Sequence, residues 1–518
     1  MTIPRLSATE LRAALDRREL SAREIVDALI ERRHAVDGKL GAWVETLDAE
    51  ARAAAERADE RLAAGERGPL LGLPLSIKEN LEVRGTRVTL GFLSRRDERV
   101  ERDAVVVSVA RDAGAVILGK TNVPQSLLSA ETTNYVYGTT NNPWALERAP
   151  GGSSGGESAA IASGSSALGI GTDIGGSLRI PASFTGVAAL KATEHRWSNI
   201  GSRAVIAGQE TIRSQVGPIA RTARDVALLF RGLPPASHAN YDPFVPPLPV
   251  PDPATVELDK LRVGFYEGNG VLTPAESVRR AVREAAEHLS RAGAELVEVE
   301  PRNVRRVTWL FYAVASADGG KLIREAARGE EVIVPLRKLH QIARLPNAAR
   351  RTLVALLRGL GEGRTADMLD AVGEKSVETL WALTRERAEL RRVELQDWTE
   401  QRLDLVLCPA FATAAPQHGA SADFTLGAQY SMRYNVLNFP AGVVPVTRVR
   451  DHETERSELR DRLDRSARDI QRGSVGLPVG VQIVGRPFHE HQVLAAMIAV
   501  EDGARASAEF PHTPVEPG

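Results

Sequence analysis

The sequence predicts an α/β fold with at least part of its sheet parallel. Three observations carry this. Apolar runs of strand length recur along the chain, at LLGLPLSIK (70–78), AVILG (115–119), LRVGF (261–265) and GLPVGVQIVG (476–485). Between many of them lie segments of helical spacing rather than two-residue turn signals, and helical crossovers are how parallel neighbours connect. No fixed-period repeat runs through the 518 residues, which excludes a solenoid.

Taken in order, residues 8–64 read as helical, with Leu11, Leu15, Leu20, Ile25 and Leu29 apolar among charged neighbours. Ser21 and Glu24 have capping-box spacing and place a helix start inside that region. Residues 1–69 are therefore expected to form a helical region packed on a core domain spanning 70–518. The run at 70–78 reads as a buried strand ending in Lys78, and 104–119 as a helix followed by a strand. A helix over 222–233 precedes a proline-rich connector, 234–253. A strand at 261–265, a helix at 277–292 and a strand at 295–299 follow. Helices dominate from about 307 to 402 and read as a cap-like insertion. Strands return at 403–408, 441–446 and 476–485, the last two separated by a charged insertion at 451–472.

Composition bounds the function. With 66 Lys and Arg against 67 Asp and Glu, net charge is −1, so nothing global steers the chain to nucleic acid. The single cysteine, Cys408, excludes an intrachain disulfide framework and fits a reducing compartment. Residues 1–10 lack a signal-peptide pattern, and no apolar run approaches the roughly 18 residues of a membrane span. A cytoplasmic protein is the expectation.

The chemistry concentrates in 149–181, APGGSSGGESAAIASGSSALGIGTDIGGSLRIP. Gly, Ser and Ala in such density usually mark a flexible linker. Linkers do not carry Ile161, Leu168, Ile170, Ile174 and Leu178 beside Asp173 and Arg179. Small residues among aliphatics suit backbone that packs closely while leaving hydroxyls in a pocket. Serine hydrolysis needs an activated hydroxyl, a proton acceptor and donors for an oxyanion. Ser177 follows Gly175 and Gly176, where backbone N–H groups from Ile174 to Ser177 can converge on a carbonyl. Ser153 lies on an equally open loop. His195 is the nearest histidine but sits in a polar Thr-Glu-His-Arg-Trp segment with no obvious acidic orienter. Lys78, at the end of an apolar strand, is the better base, because burial can lower a lysine pKa from ~10.4 by several units. This reading gives a Ser/Lys hydrolase and leaves open which serine attacks.

PGGSSGGE, GTDIGGSLRIP and LPLSIKEN resemble the amidase signature family, and the likeness continues through GKTNVPQS, NNPW, VGPIART, FPAGVVPV and GLPVGVQIVGRP. The resemblance implies an α/β/α layered fold with a central twisted mixed sheet. It also implies a Ser–Ser–Lys triad with Ser177 as nucleophile, Ser153 as the bridging serine after a cis peptide bond, and Lys78 as base. The oxyanion donors would be the amides of Ile174, Gly175, Gly176 and Ser177, and Ser154, Thr172, Asp173 and Arg179 would brace the site. Several segments look most like the fatty acid amide hydrolase branch: TNVPQS, GQE at 208–210, RYNVLNFPAGVVPVT and the charged insertion. Residues 131–137, near the pocket in the family, depart from its pattern and leave the substrate open.

The implied substrate is a small-molecule amide with a hydrophobic fatty acyl or aryl group. Other small amides, esters or carbamates are the alternatives within the class, and a tRNA-dependent amidotransferase subunit the alternative outside it. A nicotinamide oxidoreductase is disfavoured: Gly169, Gly171 and Gly175 miss the GxGxxG spacing. No cofactor and no metal are expected, since His489 and His491 have no further ligand at metal spacing. Cys408 is expected in the core, and Trp381 and Trp398 packed within their helices. In 332–372, apolar stripes of Leu336, Leu339, Ile342, Leu345, Leu353, Leu356, Leu357 and Leu360 alternate with Arg337, Lys338, Arg344, Arg350, Arg351 and Arg358. Such a hairpin suits a lid, a contact in the expected homodimer, or a peripheral membrane surface.

Overall fold

Apolar runs pair into one eleven-stranded sheet in the computed structural model, which describes residues 2–343, 345, 347–457 and 459–518. The strands are β1 (Trp43–Thr46), β2 (Pro74–Lys78), β3 (Val116–Thr121), β6 (Leu168–Asp173), β7 (Ala188–Lys191), β8 (Gln215–Ala220), β9 (Arg262–Phe265), β10 (Glu295–Glu298), β11 (Leu405–Pro409), β12 (Ala441–Arg448) and β13 (Pro478–Gly485). A separate hairpin joins β4 (Thr133–Asn134) to β5 (Gly138–Thr139). The order across the large sheet is β1-β3-β2-β6-β8-β7-β12-β13-β11-β9-β10. Two parallel blocks, β3-β2-β6 and β11-β9-β10, flank an antiparallel centre, so the sheet is mixed.

Every residue of β2, β3, β6, β7, β8, β11 and β13 is buried. Successive side chains point to opposite faces, so helices must cover both. This is why those strands read as continuous apolar runs rather than as alternations. Helices Arg179–Thr185 and Glu490–Ala504 both pack on β12 and β13.

The first 64 residues are not continuously helical. Helices Ala8–Asp16, Ala22–Leu40 and Asp48–Ala63 are interrupted by β1, which pairs antiparallel with β3 at the sheet edge. The capping box of Ser21 and Glu24 starts the second helix, and Gly41, at φ +61°, ends it. Only Trp43 of β1 is buried, so its four residues carry no alternation that sequence could read. The run at 70–78 becomes strand only from Pro74, after a turn through Gly72 at φ +81°.

The insertion folds as helices Val304–Ala315, Lys321–Ala327, Val334–Ala343, Asn347–Gly359, Gly363–Ala371 and Val377–Glu400. Much of its apolar stripe is turned inward: Val354, Ala366 and Leu369 form a small core with Leu345, Leu353 and Leu357 packed on it, and Leu336 is buried. Leu356 and Leu360 remain exposed. Arg344 and the side chains of Lys338, Leu339 and Ile342 lie outside the described residues. Trp398 is buried edge-on against Phe439, whereas Trp381 is 70% exposed, contrary to expectation. Among the described residues no helix is long and apolar enough to cross a membrane.

Candidate active site

Parallel neighbours β2 and β6 bring their C-terminal ends to the same edge, and Lys78 and Asp173 are their last residues. Lys78 is fully buried there. Its Nζ donates to Ser153 Oγ at 2.7 Å, to Thr172 Oγ1 at 2.8 Å and to the Thr172 carbonyl at 3.3 Å. Burial pushes the Lys78 amine down to about 7, against the opposing charges of Asp173, Glu157 and Glu79. The partners nearest its nitrogen are thus neutral oxygens, which tolerate an uncharged lysine.

Ser153 sits on the loop before helix Gly155–Ala162, and the Gly152–Ser153 peptide bond is cis. A side chain at Gly152 would place its Cβ 2.2 Å from the Ser129 carbonyl oxygen, so glycine is required. The Ser154 amide donates to the Ser177 carbonyl at 3.1 Å, tying the two serine loops together. Ser154 Oγ reaches the Thr172 carbonyl at 3.4 Å.

Residues 173–179 wrap around one buried ion pair. Asp173 accepts from Arg179 Nε at 2.9 Å and Nη2 at 2.8 Å, from Asn435 Nδ2 at 2.9 Å and from the Leu178 amide at 3.1 Å. Arg179 also donates to the Ser431 carbonyl, Gln482 Oε1 and Asn435 Oδ1, at 2.9, 2.5 and 2.6 Å. Burial works against the Asp173 carboxylate, but Arg179, Asn435 and the Gly176 amide hold its pKa well below the usual carboxylate range. With every charge paired, this buried pair holds the loop's shape rather than the reaction.

The four expected oxyanion donors are not alike. The Gly176 amide donates to Asp173 Oδ1 at 2.8 Å and is committed to the brace. The amides of Ile174, Gly175 and Ser177 have no protein acceptor among the described residues, and all three residues are only half-buried. Gly176 has φ +112°, and a Cβ there would lie 2.7 Å from Ser431 Cβ. A left-handed glycine is what lets the chain turn its amides outward at this point.

Ser153, Thr172, Ile174 and Ser177 line one side of a cleft of about 250 Å³. Its apolar lining comes from Leu127, Leu128, Val205 and Ile206. Residues 199–214 supply much of the opposite wall, and sequence reading missed them because the segment has no apolar period. Residues 131–137, expected near the pocket, carry β4 and the turn into β5; none of them lines the cleft, although Thr132 Oγ1 donates to the Gly151 carbonyl at 2.8 Å behind Ser153. Glu131 accepts from the amides of Gly419 and Ser421.

Three other residues emerge only in three dimensions. Asn435 and Gln482 complete the Arg179 brace, and the one signal for Gln482 was a polar residue inside the apolar run PVGVQIVG. Glu157 lies under the site, accepting from Ser76 Oγ at 2.5 Å and Thr121 Oγ1 at 2.7 Å, and burial raises it to about 7. His195 faces Arg213 and Phe244 and does not line the cleft. Cys408 is buried in β11 beside the Gln482 amide. His489 and His491 stack on each other, and among the described residues no three His, Cys, Asp or Glu side chains converge as metal ligands.

Comparison with known proteins agrees with this architecture. The family described as Amidase matches residues 24–494. "Fatty-acid amide hydrolase 1" of Sus scrofa is 38% identical over 440 residues, covering 84% of this chain and 76% of its own. A glutamyl-tRNA(Gln) amidotransferase subunit of Roseiflexus castenholzii is 32% identical over 504 residues, covering 94% of each chain. A solved structure titled "Fatty acid amide hydrolase" superposes with a TM-score of 0.85 at 27% identity, over 97% of this chain and 85% of that one.

Proposed function

The chain belongs to the amidase signature family as a hydrolase similar to fatty acid amide hydrolases, and we propose that it cleaves hydrophobic carboxylic amides through Lys78, Ser153 and Ser177. One observation carries this reading: a fully buried lysine, pushed down to about 7, bonded at 2.7 Å to a serine that shares its cleft with a second serine. Neutral Lys78 accepts the Ser153 proton as Ser153 accepts the Ser177 proton, and Ser177 Oγ attacks the amide carbonyl. The free amides of Ile174, Gly175 and Ser177 receive the oxyanion. The relay then runs backward, the leaving nitrogen takes the proton, and the C–N bond breaks. Water, deprotonated through the same relay, cleaves the acyl-Ser177 ester to a carboxylic acid.

The apolar lining of Leu127, Leu128 and Val205 supports a hydrophobic acyl side, and these three also belong to an apolar cluster reaching Ile323 and Ala327. At about 250 Å³ the cleft is smaller than the roughly 300–1,000 Å³ of pockets for drug-sized ligands, which favours aryl and shorter fatty acyl groups over the longest chains. A series of N-acyl amides of increasing length tests this, with Ser177→Ala and Lys78→Ala as controls. Full turnover by Ser177→Ala would refute the mechanism, and an optimum at acetamide would refute the hydrophobic acyl side. The same assay separates a free-standing hydrolase from an amidotransferase component, because the chain alone with water should suffice.

A further inference from the structure

One buried carboxamide joins the apolar wall of the cleft to the helical insertion. Leu127 and Leu128 line the cleft, and Ser126 and Leu127 both have φ +66°. Two successive left-handed residues that are not glycine are strained, because Cβ crowds the backbone there, and they persist only where neighbours hold them. Two of the holding contacts are close in sequence or on the adjoining loop. The Leu127 amide donates to the Pro124 carbonyl at 3.0 Å, and the Ser126 amide donates to the Leu90 carbonyl at 2.8 Å.

The third comes from the insertion. Gln125, immediately before the strained pair, is fully buried. Its Oε1 accepts from the Ile333 amide at 2.8 Å, and its Nε2 donates to the Glu331 carbonyl at 3.3 Å. A carboxamide carries the acceptor and the donor that these two backbone groups require. The segment it grips is anchored in turn, because Glu330 accepts from the Leu93 amide at 2.7 Å and from Ser94 Oγ at 3.1 Å. Helix Lys321–Ala327 stands behind the same wall: Ile323 and Ala327 are buried in a cluster on which Leu127 and Leu128 pack. The strained turn therefore has the cleft on one side and the insertion on the other.

We propose that Gln125 is a positioning residue for acyl selection: by gripping residues 331 and 333 it holds the Ser126–Leu127 turn in its strained form, and with it the Leu127 and Leu128 side chains that grade acyl groups by length. This rests on the reading of the cleft's apolar side as the acyl side. Without the grip the turn relaxes and the wall loses its fixed shape. Long acyl groups then lose more than short ones, because they have more methylenes to bury against it.

The test compares the p-nitroanilides of hexanoic and acetic acid, which share one leaving group. The ratio of their kcat/KM values is read in the full chain, unsubstituted and with Gln125→Met, which keeps the side-chain length and removes both hydrogen bonds. The ratio should fall about tenfold in Gln125→Met. Partial unfolding would lower both values by one factor and leave the ratio alone, so the ratio separates positioning from stability. An unchanged ratio in the folded Gln125→Met chain overturns the proposal and leaves the hydrolase reading standing. If Gln125→Met fails to fold, Ile323→Ala, which removes packing behind the wall, takes its place: a fall by a smaller factor supports the proposal and an unchanged ratio overturns it. Equal values for both anilides in the unsubstituted chain overturn it together with the hydrophobic acyl side. Affinities of the two anilides for the Ser177→Ala chain, with and without Gln125→Met, repeat the comparison without turnover. A matching fall there, when the unsubstituted enzyme turns over neither anilide, supports the grip and overturns the hydrolase reading alone.

Discussion

Lys78 and Lys191 end two strands of the same sheet, both fully buried and both pushed down to about 7 by burial. Their surroundings differ. Lys78 Nζ meets the hydroxyls of Ser153 and Thr172 at a cleft, while Lys191 Nζ donates to the Ala192 carbonyl at 3.1 Å beside the charge of Arg179. A carbonyl has no proton to give up, so Lys191 has nothing to deprotonate. Burial makes both amines usable as bases near neutrality, and the partner decides which one can act.

The comparison can be broken in several ways. The largest effect belongs to the proposed nucleophile, whose replacement in Ser177→Ala should lower kcat by about 10⁴-fold or more in a steady-state amide assay. Lys78→Met should lower kcat by about 10²- to 10⁴-fold with the circular dichroism spectrum unchanged. Lys191→Met should leave kcat/KM within about twofold, and a loss as deep as that of Lys78→Met would erase the distinction between the two lysines. Arg179→Met tests the brace: it strands a buried Asp173 and should cost about 3–5 kcal/mol in denaturant unfolding.

Titration sharpens the comparison further. A base that must be neutral gives a rate rising with pH through about 7 and level above it, so a kcat maximum below neutrality would exclude Lys78. Stability should respond to both lysines alike. Each has a folded value of about 7 and an ordinary value of 10.5, so the unfolded chain holds more protons between those limits. Stability therefore rises with pH across that window and falls as pH drops towards 7. Removing either lysine should flatten the slope of unfolding free energy against pH, while only Lys78→Met alters the rate profile.

Legibility followed the range of the interactions. Strands buried on both faces announce themselves as apolar runs, and β2, β3 and β13 were readable for that reason. β1 was not: only Trp43 of its four residues is buried, and its ladder partner β3 lies some seventy residues on. The capping box at Ser21 and Glu24 was readable because it closes within one turn. Trp381 was misjudged, since helical spacing places a residue on a face without saying what covers that face.

The same division runs through the site. Sequence alone determined the chemistry available, a lysine at an apolar strand end and two glycine-flanked serines, because composition and spacing are local properties. Tertiary structure decided which groups meet. It set Lys78 against Ser153, committed the Gly176 amide to Asp173 while leaving Ile174, Gly175 and Ser177 free, and closed the brace with Asn435 and Gln482 from segments over 250 residues away. Hydrogen bonds act over about 3 Å whatever the separation along the chain, and only the folded sheet brings such distant donors and acceptors within that reach.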